Sequence, residues 1–130
     1  YLETNGAYPD EARLVAPLVD IVSMDIKLPS LCGGRDLFGA YEQVLPVFGP
    51  RGLFIKIVIA EGFEMDELER AAKLVAGFDS SIPLVIQPAT AGPGCRAAGG
   101  DALIEAHSLV SGYLSDVRVI PQCHKLLGLK

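Results

Sequence analysis

Ser23, Asp25 and Lys27 alternate along VDIVSMDIKLPS, so in an extended chain all three side chains leave the same face. A carboxylate beside an ammonium on that face can meet both charges of a zwitterion, each by its opposite. The other apolar runs repeat the pattern. Thr4 ends YLET, Lys56 interrupts FIKIVI and Gln87 ends LVIQ, while Arg118, Gln122 and His124 fall at alternate positions in and after VRVIP. Ionisable groups are costly to bury without partners or a ligand, so the spacing predicts a polar cavity where an ordinary barrel would be filled by branched apolar side chains. Taken singly, each residue has a plainer reading. Lys56 reads as half of an ion pair, Asp25 with Lys27 as a structural pair, and Thr4-Asn5-Gly6 as a turn, since Asn and Gly tolerate left-handed backbone. His107 sits in a helical pattern and reads as a solvated side chain. Cys123 adjoins His124, but nothing supplies the third group that orients a thiol–imidazole nucleophile, so it reads as a buried structural cysteine.

The elements that must position these groups are five β-type runs at 1–4, 19–27, 53–59, 83–88 and 117–121, with helical segments at 9–17, 37–48, 64–76 and 101–114 between them. In the third helical segment, EMDELERAAKLVA, Met65, Leu68, Ala72 and Val75 form one stripe, and Glu69 can pair with Lys73 on the wet side. Strands about 30 residues apart with a helix in each gap are successive βα units, which predicts a parallel α/β fold, either a barrel segment or a doubly wound sheet. The longest loop, ATAGPGCRAAGG at 89–100, follows the carboxyl end of a strand, where this architecture builds its sites.

Composition narrows the classes further. At 130 residues, 50% hydrophobic and 21% charged, the chain has enough apolar mass for one soluble domain with a sizeable core. A net charge of −5 with scattered Lys and Arg gives no basic patch for a nucleic acid. No run reaches the roughly 18 apolar residues of a membrane span. Cys32, Cys95 and Cys123 are odd in number and lack any CxxC or CxxxC spacing, so neither a disulfide framework nor a zinc site is indicated, and a reducing cytoplasm fits. Cys32 and Cys95, in glycine-rich loops, are reactive only where their surroundings favour the thiolate. The opening YLETNG, without an initiator methionine, reads as the end of a strand within something larger.

LETNG, SMDIKLPS, FIKIVI, IQPAT and VRVIPQCHKLLGLK, in this order and spacing, resemble the C-terminal portion of radical S-adenosylmethionine (SAM) enzymes, most of all the 7-carboxy-7-deazaguanine synthases and the related organic-radical-activating enzymes. The resemblance implies five βα strands of a partial (β/α)6 barrel lacking its N-terminal half, the CxxxCxxC cluster loop included. It assigns no catalytic residue and no cluster cysteine to this chain. It implies SAM contacts at Thr4, Asp25, Lys27, Lys56 and Gln87, substrate contacts at Thr4, Gly6 and His124, and a cation, Mg²⁺, near Glu3, Ser23 and Asp25. The implied cofactors are SAM and a 4Fe–4S cluster held by the missing half, and the partner is a small-molecule substrate, 6-carboxy-5,6,7,8-tetrahydropterin, with neither nucleic acid nor membrane. Asp25-Ile26-Lys27 departs from the Ser-Pro-Lys of the synthases toward the activating enzymes, whose partner is a polypeptide. From other classes, an aldolase or isomerase using Lys27 or Lys56 as a Schiff base and a non-catalytic ligand-binding module remain open. An exposed barrel edge would favour a homo-oligomer.

Overall fold

The computed structural model describes residues 1–50 and 52–122. Five strands alternate with four helices: β1 Leu2–Thr4, α1 Pro9–Val15, β2 Val22–Ile26, α2 Phe38–Phe48, β3 Leu53–Ile59, α3 Met65–Asp79, β4 Leu84–Pro88, α4 Gly100–Ser111 and β5 Val117–Val119. The strands form one sheet, every neighbouring pair is parallel, and the spatial order is β1-β2-β3-β4-β5. A doubly wound sheet reverses its order at a switch point. This one never reverses, and the sequential order is consistent with a partial parallel barrel.

Alternation within the strands makes the core. Leu53, Ile55, Ile57 and Ile59 of β3 are buried, as are Val22, Met24 and Ile26 of β2 and Leu84 and Ile86 of β4. They meet Leu68, Ala71, Ala72 and Val75 of α3, Phe38, Tyr41, Val44 and Leu45 of α2, and Ala106 and Val110 of α4. The stripe on α3 follows the helical period, with Met65 only partly buried at its first turn, and Lys73 pairs with Glu69 at 3.1 Å on the outer side. Tyr113 adds to that pair by donating from its hydroxyl to Glu69 at 2.5 Å.

Several boundaries differ from the sequence reading. Pro17 stops α1, and Ala16–Leu18 continues as a 3-10 turn. α3 runs to Asp79, because Gly77 and Phe78 cost less inside a packed helix than propensity alone implies. β5 keeps only three paired residues, since the register with β4 ends at Val119. At the other end of β2, Gly52 (φ +76°) allows the turn into β3 to close against the preceding loop: a Cβ there would lie 2.2 Å from the Asp20 carbonyl oxygen. The Gly52 carbonyl in turn accepts the Val22 amide at 2.9 Å, starting the β2–β3 register. Among the described residues no helix is long and apolar enough to cross a membrane.

Candidate functional site

The register of the strands lines up their outward side chains in rows across the face opposite the helices. Glu3, Ser23 and Phe54 share one row; Asp25, Lys56, Val85 and Arg118 share the next; Val58 and Gln87 lie beyond them. Asp25 is the centre of this face. Its Oδ2 accepts from Lys27 Nζ at 2.8 Å, and Lys56 Nζ lies 3.1 Å from its Oδ1. The approach of Lys56 is close enough for an ion pair yet off the hydrogen-bonding direction, so Oδ1 is buried with acceptor capacity to spare. Side-chain exposures of 22% for Asp25 and Lys56 and 36% for Lys27 place the triad partly out of water, where its attractions exceed those of a surface pair.

A core residue aims Lys27. The fully buried Tyr41 of α2 accepts the Lys27 backbone N–H at 2.9 Å and so fixes the chain where it leaves β2. Burial pushes the Tyr41 phenol up, and the Lys27 amide partly opposes that shift. Nothing in the sequence distinguishes Tyr41 from an ordinary apolar position, so its link to the site appears only in three dimensions.

Thr4, Asn5, Glu3, Asp25 and Lys56 line a cavity of about 390 Å³. Thr4 registers with Met24, in the helix-facing row, while its Oγ1 accepts the Gly6 N–H at 3.1 Å. Asn5 Oδ1 accepts the Ala7 N–H at 3.1 Å, so Thr4-Asn5-Gly6 is a side-chain-capped turn whose first two residues also wall the cavity. Gly6 (φ +63°) presses against the core: a Cβ would lie 2.7 Å from Met24 Cε and 3.0 Å from Tyr41 Cδ1. A second cavity, of about 450 Å³, opens at the carboxyl ends of β2, β3 and β4, with Lys27, Ser30, Cys32, Glu61, Cys95 and Arg96 in its walls. The sequence reading missed that meeting of two loops, because it depends on a bridge between Ala60 and Ala97 that no local pattern announces.

Other predicted residues lie elsewhere. Arg118 turns to the rim and makes a two-pronged pair with Asp116, both contacts at 2.8 Å, which holds the Asp116 carboxyl below its usual range. The Gln122 Oε1 accepts from Thr90 at 2.8 Å, whereas Gln87 is half-buried in the row beyond Lys56. His107 is not a freely solvated side chain: its ring Nε2 donates to the Val117 carbonyl at 3.2 Å, because the helical period brings it against β5. Cys123 and His124 lie outside the described residues.

The donor set discriminates between the groups it would hold. Two ammoniums already face the Asp25 carboxylate, so a divalent cation at Glu3, Ser23 and Asp25 would meet like charge at its best ligand, and the site as arranged does not fit one. Among the described residues no group of three or more His, Cys, Asp or Glu is placed to hold a metal ion. A zwitterion fits better, because the same carboxylate and ammonium can exchange one another for its two charges. A Schiff-base lysine fits poorly, since both amines are directed at Asp25 and the cavity beside Lys56 is lined by polar groups.

Fold and site together define a parallel α/β protein with strands in sequential order and an ion triad on its polar face. The chain is homologous to proteins named 7-carboxy-7-deazaguanine synthase. It is 41% identical to the one from Geobacter sulfurreducens, across 98% of this chain and 51% of the relative. Identity is 32% to that of Methanothermobacter thermautotrophicus (99% of this chain, 59% of the relative) and 33% to that of Methanopyrus kandleri (97% and 47%). The chain thus spans about half the length of the curated relatives it matches. No family model matches it.

Proposed function

We propose that this chain is the SAM- and substrate-facing portion of a radical SAM protein of the 7-carboxy-7-deazaguanine synthase type. The observation that carries the reading is the 41% identity to such a synthase along 98% of the chain. The ion triad supports it. Lys27, the most exposed member, can swing from Asp25 to the carboxylate of a methionine moiety, freeing Oδ2 for the ammonium, while Lys56 keeps Asp25 balanced. Tyr41 holds the backbone from which Lys27 reaches. Gln87, beyond Lys56 on the same face, offers an amide to ring nitrogens or ribose hydroxyls, and His124 is assigned to the pterin-like substrate. When bound, SAM supplies hydrogen-atom abstraction from the substrate through its reductive cleavage. The chain's own cysteines, Cys32, Cys95 and Cys123, have no CxxxCxxC spacing and do not fit a 4Fe–4S cluster, so its ligands belong to a segment outside this chain. Asp25-Ile26-Lys27 keeps an organic-radical-activating enzyme as the second reading.

The test is a chimera in which this chain replaces the 128 matching residues of the Geobacter sulfurreducens synthase. Under anaerobic reduction it should convert 6-carboxy-5,6,7,8-tetrahydropterin to 7-carboxy-7-deazaguanine, and Lys27→Ala should weaken SAM binding about tenfold or more. A folded chimera that binds SAM and forms no product would overturn the synthase reading. Unchanged SAM affinity in Lys27→Ala would overturn the placement of SAM.

A further inference from the structure

Cys32 and Cys95 come from loops more than sixty residues apart in sequence, yet both line the cavity of about 450 Å³ at the carboxyl ends of β2, β3 and β4. Both are free thiols; Cys32 is exposed and Cys95 partly so. The loops that carry them are held in place. The Cys32 amide donates to the Pro29 carbonyl at 3.0 Å, and Cys95 pairs with Gly92 in a tight hairpin by bonds of 2.9 and 3.0 Å. That hairpin is tied to the end of β3 by the Glu61 amide donating to the Arg96 carbonyl at 2.9 Å, and by an Arg96–Glu61 contact at 3.5 Å. Each cysteine also adjoins glycines in left-handed backbone, Gly33 and Gly34 after Cys32 and Gly94 before Cys95, where a Cβ would meet open space. Lys27, Glu61 and Arg96 line the same cavity.

We infer that Cys32 and Cys95 form a dithiol modification site that reacts with small-molecule disulfides and closes to a Cys32–Cys95 bridge. The exposed Cys32 thiolate attacks one sulfur of the incoming disulfide, forming a mixed disulfide and expelling one thiolate. The Cys95 thiolate then attacks the Cys32 sulfur and expels the second. The two protein thiols are oxidised, the incoming disulfide is reduced to two thiols, and the two protons released by the cysteines pass to those leaving groups. The bridge would lie across the cavity that Lys27 shares, so it ties the β2–α2 loop to the β4–α4 loop over the approach to the triad. Nothing in this step depends on which ligand the triad binds.

The experiment treats the fully reduced chain with oxidised glutathione at about 0.1 mM and maps disulfide-linked peptides by mass. A second thiol held in the same cavity at an effective concentration of the order of 1 mM should outcompete a second glutathione about tenfold, so the bridged peptide should dominate and mixed disulfides should not accumulate. In Cys95→Ser, Cys32 should instead stop at the glutathione adduct; in Cys32→Ser, Cys95 should react more slowly. Cys123→Ser should bridge as the parent does. Persistent glutathione adducts on both cysteines of the parent, or a bridge formed only with Cys123, would overturn the inference.

Discussion

At the scale of residues, Asp25 is the position on which the polar face depends. Asp25→Asn leaves the Lys27 and Lys56 ammoniums facing one another without a counter-charge, and stability should fall by about 1–3 kcal/mol in urea denaturation, between the values typical of exposed and of buried pairs. Lys27→Ala, at the more exposed end, should cost under about 1 kcal/mol, so its effect on a ligand can be separated from its effect on the fold. Equal stability of Asp25→Asn and the parent would show that the triad does not support the sheet. Tyr41→Phe removes the acceptor of the Lys27 amide from a buried site and should cost about 1–3 kcal/mol, mostly as an unsatisfied donor.

At the scale of elements, a charged residue just before α2 engages the first amide of the helix. Asp36 Oδ1 accepts the Phe38 amide at 2.9 Å and its Oδ2 the Arg70 guanidinium at 2.7 Å, and these bonds, the Phe38 amide first, hold the carboxyl below its ordinary 3.8. A depressed carboxyl contributes stability that is complete above its ordinary value and is lost as pH falls through the folded value. Asp36→Asn should therefore melt below the parent near neutral pH, with the gap closing as the pH falls below 3.8 and through the lower folded value; a gap that is constant with pH would overturn the assignment. Gly52→Ala should cost about 2–4 kcal/mol, because left-handed backbone and a carbonyl within bonding distance both oppose a Cβ. Strand alternation in FIKIVI and VSMDI, the helical stripe at Leu68, Ala72 and Val75, and the pairing of Asp25 with Lys27 were legible in the sequence, because each depends on neighbours two to four positions away. What was not legible depends on tertiary register. The second lysine on Asp25 needs the β2–β3 alignment, the anchor at Tyr41 needs α2 laid under β2, and the engagement of His107 by Val117 needs β5 fixed beside α4.

At the scale of the molecule, the sheet ends in two short strands of three residues, β1 and β5, whose outer backbone groups have no strand beside them among the described residues. Near β1 the surface carries Tyr1, Leu14, Leu18 and Ile21, exposed by 70%, 76%, 82% and 48%. Edge backbone beside apolar surface is a template for pairing, so light scattering of this chain at rising concentration should show self-association, and a monomer throughout would count against it. Anaerobic reconstitution with iron and sulfide should give no stoichiometric cluster on this chain alone; about four irons per chain would sink the cysteine argument. The unbroken strand order also governs how such a chain acquires its shape. Each strand pairs only with the next along the chain, and the widest pairing, Leu84 with Val117, joins residues 33 positions apart. Closing loops of that size costs little more entropy than closing shorter ones, so the sheet can grow strand by strand, without waiting for a distant segment. Its middle, β2 to β4, where the pairings are longest, should gain amide-exchange protection first during refolding, with β1 and β5 added last as three-residue extensions of an already closed core.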